Sequence, residues 1–256
     1  MHEALAAALA LGESGLLIAV AVFLRIGAAV AVLPAFGEQS LSVRVRLAVA
    51  LALTALVAPA VAMDIAVSDW RGIHGLMLSE TAIGLAFGIL LRLMILALQI
   101  AGTVIAQSTS LAQLFGGAGI DPMPAVGHLL VVGGLALAAM ADLHVRVAAS
   151  LIGSYDLLPA GSAIRSGLLA EVGVAHVARA FTLAFTLAAP FVLGALVYNI
   201  ALGAINRAMP QLMVAFVGAP FITWAGLALL ALTAPSILTI WHGQFLAVLD
   251  QPLGAP

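Results

Sequence analysis

Apolar residues gather in long runs along this chain: Gly15–Leu33, Val43–Met63, His74–Ser108, Val126–Leu151, Ala175–Ile205 and Leu212–Leu249. About 20 mainly apolar residues suffice for a helix to cross a bilayer, so the pattern predicts an all-α chain of five or six long hydrophobic helices. Three of the runs exceed a simple span. No charge falls between Leu93 and Ile120, and only Pro210, Pro220 and Pro235 interrupt the stretch from Ala208 to Leu249. A proline removes one helical hydrogen bond and kinks or ends the helix. The last run is therefore predicted as bent or broken helices and the fifth as kinked at Pro190, while Pro34, Pro59 and Pro159 close earlier segments.

Composition names the solvent. The 256 residues are 64% hydrophobic and 8% charged, with a mean hydropathy of +1.23, whereas soluble domains hold about 45–50% apolar and about 25% charged residues. This is a membrane-class protein. A net charge of −2 and the lack of any basic tract argue against nucleic acid and against a polybasic lipid-binding patch. Without cysteine there is no disulfide framework, iron–sulfur cluster or thiol nucleophile. The 6 histidines form no His-Glu-x-x-His frame and no helical ligand pair, and no nucleophile elbow, phosphate loop or dinucleotide fingerprint occurs. No enzyme activity, metal or cofactor is expected. Met1-His2-Glu3 lacks the basic start of a cleaved signal peptide, so the first helix is expected to be retained. Arg44 and Arg46 would put the first connection in the cytoplasm, but the other loops carry mixed charge.

Charge inside the runs is the first pointer to function. Arg25, Glu80, Arg92, Asp142, Arg146 and Arg179 all lie within apolar stretches. An ionised side chain at the centre of a lipid-facing helix costs roughly 2.5–3.5 kcal/mol even on a lenient scale, so each should face protein, water or a counter-charge. Glu80, Gly84, Gly88 and Arg92 recur every four residues and so share one helix stripe, where the glycines admit close approach of another backbone. Glu80 and Arg92 lie about 18 Å apart along a helix and cannot neutralise each other. Each needs a partner, from another helix of the chain or from another subunit. Asp142 and Arg146 are spaced to pair on one helix, with His144 beside them as a possible proton carrier.

The segment Leu114-Phe115-Gly116-Gly117-Ala118-Gly119-Ile120-Asp121-Pro122-Met123-Pro124 separates two apolar runs and cannot be a regular helix. Irregular backbone at membrane depth is tolerated only where protein buries it or it lines a cavity. Apolar side chains on a flexible backbone suit a movable seal.

Asn199, Gly203, Arg207, Pro210 and Gln211 carry a resemblance. Together with Arg25 before Pro34, Glu80-x-x-x-Gly84-x-x-x-Gly88, Gly102 before Gln107, Asp121-Pro122, His144, Pro159 and Pro190, they resemble the FliR family of flagellar type III export-gate proteins over nearly the whole chain. Arg207-Ala208-Met209-Pro210-Gln211 is the strongest piece. The injectisome SctT family shares the pattern. The resemblance implies a subunit without bond chemistry, in the bacterial inner membrane at the flagellar basal body. It would join FliP-like, FliQ-like and FlhB-like partners around a channel for unfolded export substrates. It implies bent hairpins raised out of the bilayer, with residues 1–172 FliP-like and residues 173–256 a FliQ-like hairpin, divided near Gly173. It aligns Leu114, Phe115, Gly116, Gly117, Gly119, Ile120 and Met123 with a pore-plugging loop. It implies subunit contacts at Arg25, Glu80, Gly84, Gly88, Arg92, Arg207, Pro210 and Gln211. Two departures stand out: the loop lacks a polar run, and Asp142 precedes Leu143-His144 where many relatives carry a neutral residue. The rival reading is a proton-coupled small-molecule transporter with a relay of Glu80, Asp142, His144 and Arg146, and a third is a purely structural membrane scaffold.

Overall fold

The computed structural model describes residues 2–38, 41–61, 70–108, 125–161, 166–209 and 214–251. Among these, the regular elements are helices α1 (His2–Val32), α2 (Val43–Val57), α3 (Trp70–Ser108), α4 (Ala125–Met140), α5 (Leu143–Leu157), α6 (Ser166–Ala208) and α7 (Val214–Asp250), with one 3-10 turn at Ala58–Ala60. Five are long and apolar enough to cross a membrane, or up to six spans if α4 and α5 count as one broken span. The all-α membrane protein expected from the hydropathy runs is what forms.

Local chemistry sets the helix ends. After α1, Pro34 enters a turn in which Ala35 takes a positive φ of 68° and Gly37 N donates to Leu33 O at 2.7 Å. Ser42 caps α2 with extended backbone, its Oγ accepting from Val45 N at 3.4 Å. Such a cap satisfies one of the orphan N–H groups of the first turn. Pro59 sits in the 3-10 turn that closes α2, and Pro159 follows α5.

Two expectations need correction. Val126–Leu151 is not one helix, because Asp142 adopts left-handed φ 57°, ψ 44° between α4 and α5. Aspartate is one of the few non-glycine residues that visits this region. Conversely, α7 is not broken at Pro220 or Pro235, which lie inside it, as Pro190 lies inside α6. A proline interrupts one rung of the ladder, and in apolar helices local adjustment and Ser/Thr side chains tolerate that.

The chain forms two compact units: Met1–Leu93 with Ala139–His176 and Phe245–Pro256, and Met94–Ala138 with Val177–Gln244. In the first, α1 presents Val22, Ile26 and Ala29, followed by Leu33 just past its end, all buried, while α3 presents buried Ile83, Phe87 and Leu91. That is the spacing of one helix face. Gly84 lies against the backbone of Arg25, Gly88 against that of Ala29, and Arg92 reaches Val32 O. Partners on the two helices advance together, so α1 and α3 run parallel.

In the second unit, Gly102 of α3 meets the backbone of Gly127 on α4, while Gly134 lies against Leu98 and the Trp241 ring. Here the partners advance in opposite senses, so these segments are antiparallel. Trp241 is buried and its indole N–H donates to Met94 O at 2.7 Å, which satisfies the one polar group of that ring. The α6 and α7 segments form an antiparallel hairpin: Arg179 meets Gln244, Tyr198 stacks on Phe221 at 5.9 Å, and Leu202 packs on Gly218.

Candidate functional site

The strongest concentration of polar chemistry lies in the first unit, around Arg25. Its apolar neighbours Val22, Ile26 and Ala29 direct that face of α1 to the core, so a guanidinium there has to find partners without water. Arg25 Nε donates to Glu80 Oε2 at 2.7 Å and Nη2 to Glu80 Oε1 at 3.0 Å, a two-pronged charge-assisted pair. Both side chains are 0% exposed. Nη1 donates to Ser154 Oγ at 3.1 Å and Nη2 also to Leu158 O at 2.9 Å. The guanidinium carbon sits 3.6 Å from the centre of the Tyr155 ring, a cation–π geometry. Glu80 in turn accepts from Tyr155 Oη at 3.4 Å and from Gly161 N at 3.2 Å. Gly161 holds φ +69°, the left-handed conformation that glycine adopts without penalty.

This arrangement ties α1 and α3 to α5 and to the turn that follows it. A buried ion pair repays its desolvation only when further hydrogen bonds occupy the remaining donors and acceptors. That condition is met here. The cluster is a structural clamp, with its charge neutralised inside the chain. Arg25 and Glu80, for which the resemblance implies subunit contacts, hold one another within the chain. Gly84 and Gly88 are likewise buried against α1, where a Cβ at Gly84 would overlap the Arg25 carbonyl and one at Gly88 would come within 2.7 Å of Ala29 O. Close backbone approach is their role, but the approaching backbone belongs to the same chain.

The other charges are held differently. Arg92 is partly exposed, with Glu38 at 3.9 Å and Val32 O at 3.4 Å. The anticipated Asp142–Arg146 pair does not form: Asp142 stands in the break before α5, and Arg146 turns to Asp250 at 3.6 Å and to Ala141 O at 3.2 Å. Arg179 donates to Gln244 Oε1 from both Nε and Nη2, at 3.2 and 2.6 Å. Among the described residues no carboxylate pairs with it. Asp142, His144 and Arg146 are exposed and are absent from the Glu80 shell, so the four members of the relay imagined for a transporter are not brought together. No group of three His, Asp or Glu among the described residues could hold a metal ion.

Arg207 is exposed in the last turn of α6. Pro210 and Gln211, and the whole stretch from Leu114 to Met123 expected to plug the pore, lie outside the described residues. Sequence reading missed Ser154, Tyr155, the Leu158 carbonyl and the Gly161 amide as partners of the buried pair. Backbone groups leave no trace in residue type, but a Ser-Tyr pair ahead of Pro159-x-Gly161 was a signal available in the sequence.

The outer surface is apolar. On the α6–α7 hairpin, Leu193, Val197, Ile200, Trp224 and Leu232 are each more than 60% exposed, an extent that in water would mark an interaction surface.

Comparison with known proteins fits this geometry. Residues 16–248 match the family model described as "Bacterial export proteins, family 1". The chain is 35% identical over 237 residues to the flagellar biosynthetic protein FliR of Caulobacter vibrioides, covering 91% of this chain and 94% of that protein. It is 30% identical to the FliR of Pectobacterium carotovorum, over 89% and 88% of the two chains. With the FliR of Escherichia coli it shares 28% identity, over 84% and 83%.

Proposed function

From the membership of this chain in the FliR family of bacterial export proteins, we propose that it is a subunit of the flagellar type III protein export gate. In this reading it sits in the bacterial inner membrane at the flagellar basal body. With FliP-like, FliQ-like and FlhB-like partners it forms the channel through which unfolded flagellar proteins leave the cytoplasm. The chain performs no bond chemistry. The loop at Leu114–Met123 helps to seal the channel at rest and yields to an extended polypeptide in transit, as apolar side chains on a flexible backbone allow. Residues 1–172 act as the FliP-like part and residues 173–256 as the FliQ-like hairpin. Arg92, Arg207, Pro210 and Gln211 meet neighbouring subunits.

The observation that carries this reading is the family match over residues 16–248, which leaves almost none of the chain for another activity. The uncovered apolar side chains of the α6–α7 hairpin and the guanidinium of Arg179, which among the described residues meets a neutral amide and no carboxylate, support a protein that expects company. Isolation from membranes in mild detergent, followed by identification of the subunits retained, tests the assembly; recovery of the chain alone, with small-molecule uptake in liposomes, would replace it with the transporter. Deleting Gly116–Gly119 should leave assembly intact while raising ion leakage, and unchanged permeability in an open-gate background would remove the sealing role.

A further inference from the structure

We propose that the groove between α1 and α2 binds an anionic phospholipid, one acyl chain lying along its apolar walls and the phosphate held by Arg46. The groove has a volume of about 370 Å³ and is walled chiefly by Phe23, Gly27 and Ala31 of α1 with Val43 and Leu47 of α2; Arg46 is the charged side chain in it. That volume lies within the range of about 300–1,000 Å³ typical of small-molecule sites. No acidic residue lines it among the described residues.

Arg46 stands apart from the arginines of the ion pairs. Its Nε is shielded from solvent and has no hydrogen-bond acceptor among the described residues. A buried donor left unmade carries its full desolvation penalty, so an acceptor entering the groove is favoured. A phosphate matches the guanidinium fork in charge and geometry.

The route of entry selects a lipid over a soluble anion. Both flanking helices are candidate membrane spans. Val43, Leu47 and Leu51 stand exposed at 72%, 49% and 53% along α2, spaced four apart on one face, so the groove is bordered by residues suited to acyl chains. Basic pockets between membrane helices recognise anionic headgroups by this combination of charge and apolar wall. No polybasic patch is needed, because the charge sits inside the groove.

Two substitutions separate the parts of the site. Arg46→Gln removes the charge and keeps the walls. Gly27→Leu fills the groove, since a Cβ at Gly27 would have only the Phe23 ring edge near it, at 3.8 Å. Native mass spectrometry of the delipidated full chain, titrated with phosphatidylglycerol or phosphatidylcholine, reads the outcome. The wild type should retain phosphatidylglycerol about fivefold or more over phosphatidylcholine, the scale expected of one arginine at an anionic headgroup. Arg46→Gln should abolish that preference and Gly27→Leu should reduce both lipids. Equal retention of the two lipids by the wild type, or an unchanged preference in Arg46→Gln, overturns the proposal. So does a Leu47→Cys variant that cross-links in membranes to a protein subunit and not to a photoactivatable phospholipid, for then the groove docks a protein.

Discussion

Arg25 and Arg179 both sit in long apolar helices, yet the chain treats them in opposite ways. Arg25 is fully buried and meets a carboxylate, a hydroxyl, a carbonyl and an aromatic face. Arg179 is partly exposed and meets a glutamine oxygen. The first arginine is complete within its unit. The second retains its charge, because an amide orients a guanidinium without neutralising it. A charge in an apolar run therefore has two meanings, and only its partner tells them apart: a closed ion cluster fixes the fold, whereas a cation that meets no carboxylate among the described residues is where another molecule can contribute.

The sharpest way to break this contrast is to remove Glu80. Glu80→Ala strands the guanidinium of Arg25 without water, and losing one member of a buried pair typically costs about 3–5 kcal/mol. Thermal unfolding of the detergent-solubilised protein should reveal that loss. Replacing both members, Arg25→Met with Glu80→Met, should recover much of it, since an apolar pair of similar volume is often neutral or stabilising. If the double variant is as unstable as the single one, the clamp is not a unit. Next in size comes Gly84→Ala. Its new methyl meets the Arg25 carbonyl, and overpacking of this kind costs about 1–3 kcal/mol. Gly194→Ala, inside α6 with nothing within 4 Å of the added carbon, is the matched control and should stabilise by up to about 1 kcal/mol, because alanine favours a helix interior over glycine.

How far the sequence reached follows the same division. Run lengths gave the all-α membrane class, and the prolines at 34, 59 and 159 gave helix ends, because a missing N–H acts on its own turn. Pro220 and Pro235 end no helix for the complementary reason: a lost rung in a long apolar helix can be absorbed by its surroundings. The Glu80-Gly84-Gly88 stripe identified a close helix contact but not its owner. Periodicity reports which face is packed, and says nothing about whether the packing helix belongs to the same chain. Arg25 and Glu80 are 55 residues apart, and nothing local links them. The Asp142–Arg146 spacing was read as a helical pair, whereas the left-handed residue that breaks the helix is Asp142 itself. The proposed gate function was legible only through the resemblance; the segment Leu114–Met123 proposed as a seal, and Pro210 and Gln211, fall outside the described residues.

Arg179 tests the second meaning. Arg179→Met should cost the isolated chain at most about 1.5–3 kcal/mol, the scale of hydrogen bonds to a charged group, while weakening its retention of partner subunits during mild-detergent isolation. Equal retention by the variant would mean that Gln244 alone suffices for this charge. A large drop in the stability of the isolated chain would instead put Arg179 in the same class as Arg25.

The smallest effect belongs to Arg146 and Asp250. Their side chains are 43% and 60% exposed and 3.6 Å apart, so water competes for both ions and salt screens them. A double-mutant cycle of Arg146→Gln and Asp250→Asn should give a coupling of about 0.2–1 kcal/mol that shrinks as salt is raised. The same cycle with Asp142→Asn in place of Asp250→Asn should give none, because Asp142 precedes the first turn of α5 and Arg146 points elsewhere. Coupling to Asp142 instead of Asp250 would restore the local helical pair that the spacing suggests. It would also return this arginine to the class of charges that neutralise themselves within one helix, leaving Arg92 with Glu38 as the intermediate case between Arg25 and Arg179.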